Sequence, residues 1–192
     1  FLAASTIMLA GLQRAYPHSE FGAANTVTLL RLSLVAVLAA AAAEGPSLTS
    51  NWALPAVATL ALLLDGVDGW LARRTGLVSR FGARFDMEVD CVFALTLSLL
   101  VLESGKVGTW VLSLGLARYV FWVASMALPW LNGPLPDRPS RKTVCVGQIL
   151  VLIALVSPLM QPPQAAIAAA ATLGAVVWSF AVDVRHLRRA RR

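Results

Sequence analysis

Six apolar stretches follow one another along this chain, at roughly 25–43, 52–73, 83–102, 108–128, 144–161 and 164–184. Each comes close to the ~20 residues that a helix needs to cross a bilayer. Composition agrees: 58% of residues are hydrophobic, only 14% are charged, and the mean hydropathy is +0.72, far from the average of a soluble domain. The expectation is an all-α integral membrane protein with six transmembrane helices in one domain.

Turn chemistry falls between the stretches, at Glu44-Gly45-Pro46-Ser47, Arg74-Thr75-Gly76, Glu103-Ser104-Gly105, the proline-rich segment from Pro129 to Pro139, and Pro162-Pro163. The opening residues are interrupted by Gln13, Arg14, Pro17, His18 and Glu20. Phe1 to Tyr16 therefore reads as a short N-terminal interfacial helix. The expected division is an interfacial segment at 1–22, a six-helix domain at 23–185 and a basic tail at 186–192. The chain opens on Phe rather than Met, which leaves open a processed upstream segment. Alanine-rich runs at 39–43 and 165–171 are ordinary for packed membrane helices.

Charge placement suggests an orientation, because cytoplasmic loops collect Arg and Lys. Arg73, Arg74, Arg80 and Arg84 fall between the second and third stretches, Arg138, Arg141 and Lys142 between the fourth and fifth, and Arg185, Arg188, Arg189, Arg191 and Arg192 at the C-terminal end. Lys106 stands alone on the opposite side. Both termini are thus expected on the cytoplasmic side of a cell membrane, with the protein crossing it several times. The net charge of +6 fits this rule and anionic headgroups; no nucleic-acid module is recognisable, and no nucleic-acid partner is expected. Cys91 and Cys145 lack metal-ligand spacing and read as small core residues, and His18 and His186 as surface histidines.

Against this apolar background four aspartates stand out. Asp65 and Asp68 are three residues apart near the end of the second stretch, and Asp86 and Asp90 four apart at the start of the third. Each pair therefore projects from one face of its helix, and charges within a span usually mark function. Two such pairs on neighbouring antiparallel helices, joined by a short basic loop, can converge on one point. Their mutual repulsion is relieved by hard divalent cations, and oxygen-only donors fit Mg2+ or Mn2+ rather than zinc. Gly69 and Ala72 lie on or beside the face of the first pair, and Gly82 is one turn before Asp86. Any one of them is explained by helix packing; together, among four carboxylates, they suggest a binding cleft. Arg73 could contact a phosphate, and Arg74 serves equally well as a positive-inside residue.

The stretch Asp65 to Asp90, with Asp65, Asp68, Gly69, Ala72, Arg73, Gly82, Asp86 and Asp90 at fixed spacing, resembles the signature of the CDP-alcohol phosphatidyltransferase family. Asn25-Thr26-Val27-Thr28-Leu29-Leu30-Arg31 is similar to the family's first-helix entry, and Arg141-Lys142-Thr143 with Gln148 loosely to its fifth. The resemblance implies a six-helix enzyme that moves a substituted phosphate from a CDP-linked donor to an alcohol and releases CMP, in phospholipid biosynthesis. It further implies that Asp65, Asp68 and Asp86 hold metal ions, two of them Mg2+ or Mn2+. Asp90 would complete the metal site or act as general base, while Gly69, Ala72 and Arg73 border the cytidine diphosphate and Gly82 lets the helices approach. Met87-Glu88-Val89 departs from the small or apolar residues usual there. Glu88, two residues from Asp86 and Asp90, points off their face and is better read as pairing with a basic loop residue than as a further ligand.

Arg118, near the middle of the fourth stretch, needs a partner, a cavity or a phosphate. It is expected to line an acceptor pocket with Arg138, Arg141 and Lys142, or to pair structurally with a carboxylate of the site. Arg31 could equally snorkel to the headgroups. A lipid-bearing donor, CDP-diacylglycerol, with a small polar acceptor is favoured over a CDP-aminoalcohol donor with a lipid acceptor. A divalent cation transporter would instead spread its carboxylates along a path. A homodimer is expected from the resemblance and the many small residues.

Overall fold

Apolar runs stay helical until a residue interrupts the backbone ladder, and in this chain the interruptions are glycines and prolines. The computed structural model describes residues 23–45, 52–75, 80–133 and 138–190. Among them are six long α-helices: α1 (Ala23–Glu44), α2 (Ala53–Thr75), α3 (Arg80–Glu103), α4 (Leu112–Ala127), α5 (Pro139–Val156) and α6 (Pro162–Ala190). Short 3-10 turns at Thr109–Val111 and Pro129–Asn132 flank α4, and no strand occurs among the described residues. Four helices, α1 and α4 to α6, are long and apolar enough to cross a membrane; the remaining two carry the four aspartates. The chain is thus an all-α, multi-pass membrane protein. The interfacial segment expected at 1–22 lies outside the described residues.

The helix ends follow local chemistry. Glycines with positive φ follow the first and third helices, Gly45 at 88° and Gly105 at 68°, a conformation that side-chain-bearing residues resist. The fifth helix runs at 139–156, not at the expected 144–161. Pro139 takes its first position, where a missing N–H costs nothing, and Ser157 is driven into extended backbone by Pro158. The sixth outruns the expected 164–184 and continues to Ala190, because its basic end contains no breaker and Arg188 and Arg189 suit the negative end of the helix dipole.

The third helix is the hub, packing on α1, α4 and α5, while α1 also packs on α2 and α6 on α5 and α4. Phe93, Leu97, Leu100 and Val101 of α3 meet Val35 and Leu38 of α1 and Leu152, Leu155 and Val156 of α5 in one buried cluster. Small residues keep the backbones close, with Ala58 and Ala61 on α2 and Ala165 and Ala169 on α6 fully buried. Phe121 and Phe180 tie α4 to α6, with ring centroids 5.3 Å apart. Val120, Trp122, Val123 and Met126 on α4 and Ile167, Val177 and Trp178 on α6 are exposed, as lipid-facing side chains of a membrane helix would be.

One crossing is tighter than alanine allows. A Cβ at Gly115 would lie 2.5 Å from the Leu95 Cα and 3.0 Å from the Ser98 Oγ, so α3 and α4 touch backbone to backbone there. Gly115→Ala is expected to force the helices apart, costing about 1–3 kcal/mol and lowering the thermal midpoint in detergent. An unchanged midpoint would contradict the close crossing.

Polar contacts fix which ends of the helices sit together. Lys106, between α3 and α4, donates from Nζ to the carbonyls of Leu155 at 2.9 Å and Ser157 at 2.5 Å, at the end of α5. Burial pulls the Lys106 ammonium below its usual pKa, and these two acceptors offset that cost. At the opposite end Arg138 of the α4–α5 connection donates to Asp183 of α6 at 3.2 Å. The helices therefore alternate in direction, which brings the end of α2 and the beginning of α3 to one rim.

Candidate metal centre

At that rim α1 packs against both α2 and α3, and side chains from the end of α2 and the beginning of α3 converge beside it. The spacing of the carboxylates now has its geometric result. Asp65, Asp68 and Asp86 each offer one oxygen, and the three oxygens lie within 4.8 Å of one another. Asp90 is not part of that group; its side chain is the most open, at 48% exposure against 27% for Asp65 and 41% for Asp86. Asp68 is buried.

The first helix supplies a partner to every one of these carboxylates. Thr28 donates from Oγ1 to the Asp68 Oδ2 at 3.0 Å. One turn later Arg31, wholly buried, donates from Nη1 to Asp65 Oδ1 at 2.6 Å and to Asp86 Oδ1 at 2.8 Å. Its Nη2 donates to Asp90 Oδ1. Thr28 and Arg31 sit on one face of α1, three residues apart, and that face is wedged against both acidic helices.

Arg31 was thus undervalued in the sequence, where snorkelling toward the headgroups was an equal reading. It points inward, because three carboxylates attract a guanidinium more strongly than lipid headgroups can. The available signal was its position as the one basic residue of α1, three residues after Thr28.

One guanidinium cannot balance four carboxylates. Two unit charges 4–5 Å apart in a partly dehydrated site repel by about 3–4 kcal/mol, so the cluster favours further positive charge. Its donor set fits a hard divalent cation. Mg2+ holds oxygens at about 2.1 Å, so ligands on one such ion are about 3 Å apart when adjacent and about 4 Å when opposite. Carboxylate oxygens already within 4.8 Å of one another need only small side-chain rotations to share it. Histidine and thiol donors, which zinc would prefer, are absent from this group of ligands.

The remaining residues picked out in the sequence divide into three sets. Gly69 and Gly82 are half-buried on α2 and α3; the side chains of Ala72 and Arg73 lie outside the described residues. Arg118 is exposed on α4 and donates from Nη2 to the Met87 sulfur, one residue beyond Asp86, rather than forming a buried pair with a carboxylate. Arg138 and Arg141 converge on Asp183, whose side chain is only 5% exposed; the Arg141 Nε lies 4.0 Å from its Oδ2. Lys142 is exposed. Arg138, Val182, Arg185, His186 and Arg189 line a cavity of about 310 Å³.

Asp183 was not singled out in the sequence, although an acid within the last apolar stretch was the same kind of signal as the four aspartates. Cys145 is exposed rather than a small core residue, within electrostatic reach of Asp90, Arg118, Arg141 and Asp183. Cys91 is buried as expected. Glu88 is exposed and outside the carboxylate cluster. Trp52, Pro55, Ala56, Thr59, Leu60 and Leu63 form an open, largely apolar stripe along one face of α2 that stops two residues before Asp65.

The CDP-alcohol phosphatidyltransferase family model matches residues 21–181. That range includes α1 to α5, all four aspartates and most of α6. Neither a curated protein nor a solved structure matches the chain.

Proposed function

The chain belongs to the CDP-alcohol phosphatidyltransferase family, and from that premise we propose that it transfers a phosphatidyl group from CDP-diacylglycerol to the hydroxyl of a small polar alcohol, releasing CMP. The observation that carries this reading is the convergence of Asp65, Asp68 and Asp86, from two helices, within 4.8 Å at one rim of the bundle. A transporter would want such groups strung along a path. The largely apolar, exposed face of α2 from Trp52 to Leu63 is compatible with an acyl chain lying beside the site.

Asp65, Asp68 and Asp86 are the residues to hold two Mg2+ or Mn2+ ions. Such ions, when bound, neutralise the pyrophosphate and the charge that develops on departing CMP. Gly69, Ala72 and Arg73 border the cytidine diphosphate, and Gly82 keeps α3 close to it. Asp90, outside the ligand cluster and half open to solvent, takes the proton of the acceptor hydroxyl. The acceptor oxygen bonds to the lipid-bearing phosphorus as the bond from that phosphorus to the bridging oxygen breaks, and CMP leaves with the bridging oxygen.

Arg118, Arg138, Arg141 and Lys142 would line the acceptor side and favour an anionic alcohol, with Asp183 orienting Arg138 and Arg141. In this reading all six helices cross the membrane, the site and both termini face the cytoplasm, where the basic loops lie, and two copies associate. Purified protein incubated with labelled CDP-diacylglycerol and Mn2+ tests the reaction. CMP release that depends on an added alcohol is expected; no release with any acceptor, or release only from a CDP-linked headgroup with a lipid acceptor, would contradict the donor assignment. Within that assay Arg118→Ala should raise the acceptor KM about tenfold or more, as expected for a lost charge-assisted contact, with the donor KM unchanged. An unaltered acceptor KM removes Arg118 from the pocket.

A further inference from the structure

We propose that Arg31 is a tethered counterion that competes with the divalent cation for Asp65 and Asp86, and so sets how tightly the site binds metal. This rests on the reading of Asp65, Asp68 and Asp86 as metal ligands. Arg31 is wholly buried, yet its bonding is lopsided. Nη1 serves two carboxylates, Asp65 and Asp86, and Nη2 serves Asp90, while the buried Nε has no acceptor at all.

A guanidinium seated for its own best hydrogen bonding would present parallel N–H groups to one carboxylate in a fork. Here one donor goes unused so that the charge can sit among three acids. The position is therefore governed by charge, as a counterion's would be. The partners of Nη1 matter most, because Asp65 and Asp86 belong to the carboxylate cluster and Asp90 does not.

A divalent cation drawing on those carboxylates meets a positive charge 2.6 to 2.8 Å from two of their oxygens. An ion bound about 2.1 Å from those oxygens would lie within about 5 Å of the guanidinium, and like charges at that separation repel strongly in a partly dehydrated site. Cation binding and the two Nη1 bonds therefore exclude one another, and Arg31 retains Asp90 as the cation takes Asp65 and Asp86. Asp68 is spared the exchange, since its partner, Thr28, is neutral. Arg31 thus links α1 to α2 and α3 with one charge and lowers the affinity of the centre for the ion that replaces it.

The test is Mn2+ binding by electron paramagnetic resonance, with thermal midpoints, on detergent-purified wild type, Arg31→Gln and Arg31→Lys after chelation. Arg31→Gln should bind Mn2+ about tenfold more tightly or better, since the repulsion is gone. Its midpoint without added metal should fall, and the rise that Mn2+ produces should exceed that of wild type. Arg31→Lys, with a single ammonium unable to span three carboxylates, should show the same changes in smaller measure and decides the matter if the glutamine variant does not fold. Weaker or equal Mn2+ binding in the variants beside normal wild-type binding overturns the proposal alone, because a merely structural arginine would not tighten the site when removed. Wild type that binds no Mn2+ overturns it together with the metal reading.

Discussion

Asp86→Asn is expected to reduce CMP release by about a thousandfold or more, because loss of a metal-binding carboxylate would remove several kcal/mol of charge stabilisation in the transition state. The protein should nevertheless fold. Asp86 is 41% exposed at its side chain, asparagine conserves its shape, and removing one of four crowded negative charges relieves repulsion. The midpoint without metal should stay level or rise, while Mn2+ uptake is lost. A variant that keeps its activity would remove Asp86 from the centre. One that loses activity by unfolding would recast Asp86 as a structural partner of Arg31.

Asp90→Asn has a different expected signature. In the proposed role of proton acceptor for the alcohol, Asp90 would contribute to kcat by about a hundred- to ten-thousandfold. It lies outside the group of oxygens that converge, so Mn2+ should still bind, less tightly as Arg31, released from Asp90, turns wholly to Asp65 and Asp86. The two variants therefore separate the roles: Asp86→Asn loses ion and turnover together, Asp90→Asn turnover with the ion still bound. Equal loss of Mn2+ binding in both would make Asp90 a fourth ligand, the other role that the sequence left open.

Much of this centre was readable before any coordinates. Periodicity places Asp65 with Asp68 and Asp86 with Asp90 on single helix faces, and two helices joined by a short loop must lie antiparallel, so the two pairs meet at one rim. What periodicity cannot give is the third dimension. Arg31 is 34 residues from Asp65 and 59 from Asp90 in the chain, and its orientation depends on α1 packing against both acidic helices, which no local pattern encodes. Asp183 is a similar case: its meaning depends on Arg138, 45 residues away.

The helix boundaries went astray where hydropathy and backbone chemistry disagree. An apolar average carries the fifth stretch through Pro158 to residue 161, yet a proline restricts the residue before it, and Ser157 is extended. Hydropathy also ends the sixth stretch at 184, where arginines begin. Arginine is a good helix former, so the coil continues to Ala190 and carries Arg185, His186 and Arg189 to the cavity beside Arg138. The basic end read as a tail is thus, through Ala190, a helical extension that borders the candidate acceptor side.

In the proposed reaction, carboxylates from two helices would grip the same divalent ions against a nucleotide's diphosphate. Pulsed electron paramagnetic resonance of Mn2+ added with CDP tests it most directly, through the phosphorus coupling of bound metal and its loss on substitution. Phosphorus-coupled Mn2+ is expected in wild type, with its loss in Asp65→Asn, Asp68→Asn and Asp86→Asn alike. Mn2+ bound equally well by all three variants, or bound with no phosphorus nearby, would contradict it.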